Sequence, residues 1–78
     1  MSIMLEVYYK APTNPAKESA LTSRVVSLGG RLDFREDATE QAGVCLTYEF
    51  DDCEKAMKAA EALRQLGEHV EGPMDYAA

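Results

Sequence analysis

The stretch that decides the fold is residues 44–72, VCLTYEFDDCEKAMKAAEALRQLGEHVEG. It opens in strict alternation, with Val44, Leu46, Tyr48 and Phe50 on one side of an extended chain and Cys45, Thr47 and Glu49 on the other. The period then changes from two to 3.6. Ala56, Ala59, Ala60, Leu63 and Leu66 form a helical stripe opposed by Glu54, Lys58, Glu61 and Gln65. Asp51, with Glu54 three residues on, is the expected N-cap of this helix, and Gly67 its stop. From His69 to Tyr76 alternation returns, with Val70, Gly72, Met74 and Tyr76 inward. Pro73 has no N–H to donate, which assigns this last strand to a sheet edge.

The N-terminal half repeats the unit. Ile3, Leu5, Val7 and Tyr9 alternate with Met4, Glu6, Tyr8 and Lys10, a strand with one buried face. Asn14 before Pro15 is an N-cap with proline at the first helical position. Leu21, Val25 and Leu28 then make the core stripe of a helix that Gly29-Gly30 ends, and Val26 lies off it, as an ordinary surface apolar group or, alternatively, a contact with a second subunit. Arg31 to Glu36 reads as a strand with Leu32 and Phe34 inward, joined to the next by the polar loop 37–43.

The order is βαββαβ. Right-handed crossovers with both helices on one face give an α+β, ferredoxin-like sandwich: a four-stranded antiparallel sheet in the order 4-1-3-2, in one domain spanning 1–78. The other sheet face is left open. Its middle is expected to carry Met4, Glu6, Tyr8, Cys45, Thr47 and Glu49 as an interaction face, flanked by Arg31, Asp33 and Arg35 on one side and His69 and Glu71 on the other.

Composition narrows the function. Eight Lys/Arg against fourteen Asp/Glu leave a formal charge of −6 over 78 residues, which repels phosphate backbones and argues against nucleic acid. Residues 36–54 hold seven acidic and no basic groups, a surface suited to a basic protein partner. A chain this short builds a small core, and two cysteines offer at most one bridge, so a homodimer is expected. No apolar run approaches the ~20 residues that span a bilayer. Glu6 also interrupts the apolar start before a signal sequence can form, and the expected location is cytoplasmic.

Few residues carry chemistry. Cys45 and Cys53 form no CxxC pair and have no companion histidine, so neither zinc nor dithiol redox chemistry is expected. Cys53 sits in a first helical turn among Asp51, Asp52 and Glu54, which disfavour a thiolate. Glu36, Asp37 and Glu40 lack the spacing of a calcium loop, and no cofactor is expected. His69 is the only histidine, next to Tyr8 and Lys10 on the adjacent strand. Thr13-Asn14, flanked by Lys10 and Lys17, suits a small anion.

With "EALRQLGEHVEG" (61–72) and its Leu63-x-x-x-Gly67-x-x-Val70 spacing, the chain resembles the small ACT-type regulatory domains. The resemblance implies dimers formed by sheets or helices side by side, and amino acids or other small effectors bound at the first strand–helix loop, here residues 10–15. Pro12-Thr13-Asn14-Pro15 stands where that family has a D-x-P-G turn. The expectation is therefore a non-enzymatic regulatory or interaction module, homodimeric, with a small effector near Tyr8, Lys10, Thr13, Asn14 and His69. Two alternatives stay open: a small dimeric α/β-barrel enzyme using Tyr8, Glu6, Glu49 or His69 in a cavity between sheets, and an acidic adaptor for a basic partner.

Overall fold

A computed structural model describes residues 2–75. The elements run β1 (Ile3–Tyr9), α1 (Pro15–Ser27), β2 (Arg31–Glu36), β3 (Val44–Phe50), α2 (Cys53–Gln65) and β4 (His69–Asp75). Tyr76, expected at the end of β4, lies outside the described residues. All pairings are antiparallel and the sheet order is β2-β3-β1-β4, as the strand–helix–strand pattern requires. One face of the central strands carries the core: Ile3, Leu5, Val7 and Tyr9 of β1 with Val44, Leu46, Tyr48 and Phe50 of β3. Leu21 and Val25 of α1, and Ala56, Ala59, Ala60 and Leu63 of α2, close over it.

The helix ends follow local chemistry. Asn14 Oδ1 accepts from the Lys17 N–H at 3.0 Å, and Pro15 fills the first turn, where an N–H would have no helical partner. The cap of α2 is Asp52 and not Asp51: Asp52 Oδ1 accepts from the Glu54 N–H at 2.8 Å. Asp51 is instead held by Arg31 of β2, 3.1 Å away. Leu66, expected in the buried stripe, is the C-cap residue and is 63% exposed, because the chain turns away from the core at Gly67.

Two bulges reset the faces of the outer strands. Leu32 lies opposite Tyr48 and Phe34 opposite Thr47, so Asp33 is an extra residue in β2. From that point the faces invert relative to the expected alternation. Phe34, expected inward, is on the uncovered face and 56% exposed, while Arg35, expected on that face, joins Leu46 on the helix side. Leu32 keeps the helix side but at the sheet margin, 43% exposed, and adds little to the core. The cause lies in α1. Glu18 projects its carboxylate between the helix and the sheet, where the side chain keeps only 14% of its exposure, and a carboxylate that far out of water needs a cation. Arg35 supplies it through Nε at 2.6 Å and Nη2 at 3.0 Å, and the Tyr9 hydroxyl donates to the same group.

In β4, Met74 lies opposite Met4 and Glu71 opposite Glu6, so Gly72 and Pro73 together oppose Leu5. Gly72 adopts φ +105°, a conformation few side chains tolerate. Arg64 of α2 donates to the carbonyls of Val70 and Gly72 at 3.0 and 2.9 Å, which satisfies them beside the bulge. Met74, expected to point inward with Val70, is thereby turned to the uncovered face.

Arg35 foremost, and the Tyr9 hydroxyl with it, hold the Glu18 carboxyl below its usual range. A depressed folded value means stability that is full above the unfolded value of about 4.3 and is lost as pH falls through the folded value. Glu18→Gln is expected to lower stability at pH 7 by about 1–2 kcal/mol. In urea titrations the difference from the parent should shrink as pH falls from about 4.3 through the folded value of Glu18, as its carboxylate takes up a proton; a pH-independent difference would contradict this account.

Candidate functional site

The register places three residues of every strand on the uncovered face. From β2 across β3 and β1 to β4, the rows read Arg31, Glu49, Met4, Met74; then Phe34, Thr47, Glu6, Glu71; then Glu36, Cys45, Tyr8, His69. All six residues expected in the middle of the face are there. Phe34 and Met74 join them because of the bulges, and Asp33 and Arg35 drop out of the row pattern.

The first row is tied at one end. Arg31 binds Glu49 at 2.7 Å and Asp51 at 3.1 Å. The Ser2 hydroxyl, then Arg31, hold the Glu49 carboxyl below its usual range. In the third row Cys45 is 7% exposed, and burial pushes its thiol up, with Glu6 and Glu36 adding to the effect. Burial also pushes the Tyr8 phenol up to about 12, helped by Cys45 and Glu6. Cys45 Sγ lies 4.0 Å from Glu6 Oε2. The centre of the face is thus a neutral thiol and phenol around one carboxylate. Among the described residues, neither Glu6 nor Glu36 has a cationic partner.

At the end of the third row a cavity of about 310 Å³ opens between the strand ends, lined by Tyr8, Tyr9, Lys10, Gly43 and His69. Tyr8 and His69 meet edge to face, with centroids 5.8 Å apart, and His69 Nε2 lies 3.1 Å from Glu71. Lys10 is exposed and makes no ion pair among the described residues, whereas Lys17, Arg31 and Arg35 are all engaged. Three of the five residues expected at this end, Tyr8, Lys10 and His69, therefore come together. Thr13 and Asn14 do not line the cavity. Thr13 Oγ1 donates to Asp37 at 3.1 Å, and Asn14 caps α1 while its N–H donates to the Tyr9 hydroxyl.

Sequence reasoning missed Tyr9 and Gly43. A tyrosine on the buried face of β1 was a signal that something polar lies under the strand end. Gly43 abuts the Tyr9 carbonyl, where a Cβ would lie 2.1 Å from the oxygen, so the loop closes there only without a side chain. A larger cavity of about 500 Å³ lies between α2 and β4, lined by Glu54, Met57, Lys58, Glu61, Arg64 and Pro73.

The cavity at Lys10 offers two aromatic edges, one unpaired ammonium and a backbone wall. That chemistry suits a small ligand with an anionic group and a flat apolar part. Compared with known protein families, curated proteins and solved structures, the chain matches none.

The two free thiols provide a check on this geometry. Cys53 is exposed in the first turn of α2, while Cys45 is enclosed by the second and third rows. A disulfide exchange reagent at pH 7.5 is expected to titrate Cys53 at least ~10-fold faster than Cys45, because attack requires exposed thiolate. Cys53→Ser should leave only the slow phase; two equal rates would mean that the face is not packed as described.

Proposed function

We propose that this chain is a non-enzymatic module that binds a small effector in the cavity formed by Tyr8, Tyr9, Lys10, Gly43 and His69. One observation carries the reading. Lys10 lines an apolar slot and has no carboxylate partner among the described residues, in a chain whose net charge is −6. A cation left unpaired amid so many acids is available to a ligand's anion, and the Tyr8 and His69 rings, edge to face, give the rest of the ligand apolar contact. The cavity also borders the 10–15 loop, where the ACT-type domains that the chain resembles hold their effectors. Thr13 and Asn14 serve this site by fixing the loop and the first turn of α1, not by touching ligand.

A ligand that binds only the folded chain stabilises it by mass action, by about 2.7 kcal/mol at a hundredfold excess over Kd, and so raises its melting temperature. Thermal shifts against amino acids, nucleotides and small organic anions are expected to single out compounds with a carboxylate and a planar or apolar body. Lys10→Met should remove most of that shift, while Lys58→Met on the outer face of α2 should leave it. The reading fails if no class stabilises the chain, or if Lys10→Met responds like the parent.

A further inference from the structure

The uncovered face carries a record of what can lie on it. Two copies of one sheet stacked face to face are related by a two-fold axis lying between them, and for aligned packing that axis runs either across the strands or along them. An axis across the strands reverses the row order and sets each strand over itself. Glu6 then falls on Glu6 of the second copy, and Glu71 on Glu71. Like charges directly opposed are destabilising.

An axis along the strands keeps the rows and exchanges the columns, so that β2 lies over β4 and β3 over β1. Glu36 then meets His69 of the second copy, Thr47 meets Glu6, and Cys45 meets Tyr8, while Phe34 covers the stem of Glu71. No glutamate faces another. Glu6 and Glu36, which have no cationic partner among the described residues, then face a threonine hydroxyl and an imidazole, the latter already 3.1 Å from Glu71 of its own chain. The apolar members Met4, Met74 and Phe34 are turned to the same side, Phe34 and Met74 by the bulges in β2 and β4.

We infer that this face is the interface of a homodimer whose two-fold axis runs along the strands between β3 and β1. The inference does not depend on the effector cavity. Each face brings four glutamates against one arginine, a formal 1 − 4 = −3 with His69 neutral. The net repulsion between two such faces is long-range and screened by salt over about 8 Å at physiological ionic strength, whereas the local contacts are shielded by burial. The dimer therefore tightens with salt. A basic partner, the other occupant this face suits, would be released by it.

Sedimentation velocity on the full chain tests this. The parent is expected to dimerise, with an association constant at least ~3-fold higher at ~300 mM than at ~20 mM salt. Phe34 and Val26 are a matched pair, each 56% exposed, one on the uncovered face and one on the outer side of α1. Along-strand symmetry sets residue 34 over Glu71 of the second copy, so Phe34→Asp should dissociate the dimer ~10-fold more than Phe34→Lys. Val26→Asp and Val26→Lys measure the effect of net charge alone and should differ by less than ~3-fold. Urea midpoints confirm that each variant is folded.

A chain that is monomeric at ~1 mM overturns the inference, on the affinity scale expected of specific pairs. So does a dimer in which Phe34→Asp and Phe34→Lys differ no more than the Val26 pair, since that is the signature of the other axis or another surface. Dissociation on adding salt overturns it as well. So does salt-sensitive capture by the face of an alternating leucine–lysine peptide while the parent stays monomeric, which assigns the surface to a basic partner.

Discussion

The half-buried carboxylate of Glu18 is the constraint on which most of the arrangement turns. A charge at that depth is stable only with a cation and hydrogen-bond donors around it, and the nearest strand able to provide the cation is β2. Arg35 must therefore point toward the helices. Regular alternation from Leu32 would have turned it the other way, and the extra residue at Asp33 resolves the conflict. Phe34 is displaced to the uncovered face as a result. A polar requirement inside the molecule thus writes an apolar feature on its surface.

Much of the architecture was legible in the sequence because it depends on neighbours in the chain. The alternation of β1 and β3, the alanine stripe of α2 and the Asn14-Pro15 cap are all local patterns, and each appears where its periodicity or chemistry placed it. The misses have long-range causes. With Asp51 and Asp52 adjacent, either can cap a helix; Arg31, twenty residues upstream of Asp51, takes Asp51 and leaves Asp52 to the task. Neither bulge has a signature beyond a glycine and a proline in β4, because one is imposed by Glu18 and the other is braced by Arg64.

The same division holds for the candidate site. Tyr8, Lys10 and His69 were found because strand order and residue parity alone bring them to one end of the sheet. Thr13 and Asn14 were chosen for their chemistry, and that chemistry is consumed in fixing the loop. Tyr9 and Gly43 carry no such signal in the sequence because their contribution is shape: a strand end and a loop that meet only in the folded chain. Tyr8 belongs both to the cavity and to the third row of the face, so whatever occupies one is in contact with a wall of the other.

The irregularities in β2 and β4 also bear on how the sheet ends. Both outer strands are interrupted near their middle, one by an inserted aspartate and the other by a glycine followed by a residue that offers no N–H. A foreign strand approaching either margin would find its hydrogen-bond ladder broken after two or three rungs. Lateral growth into ribbons or fibrils is discouraged at both borders, and four strands become a closed count without the chain having to curl into a barrel.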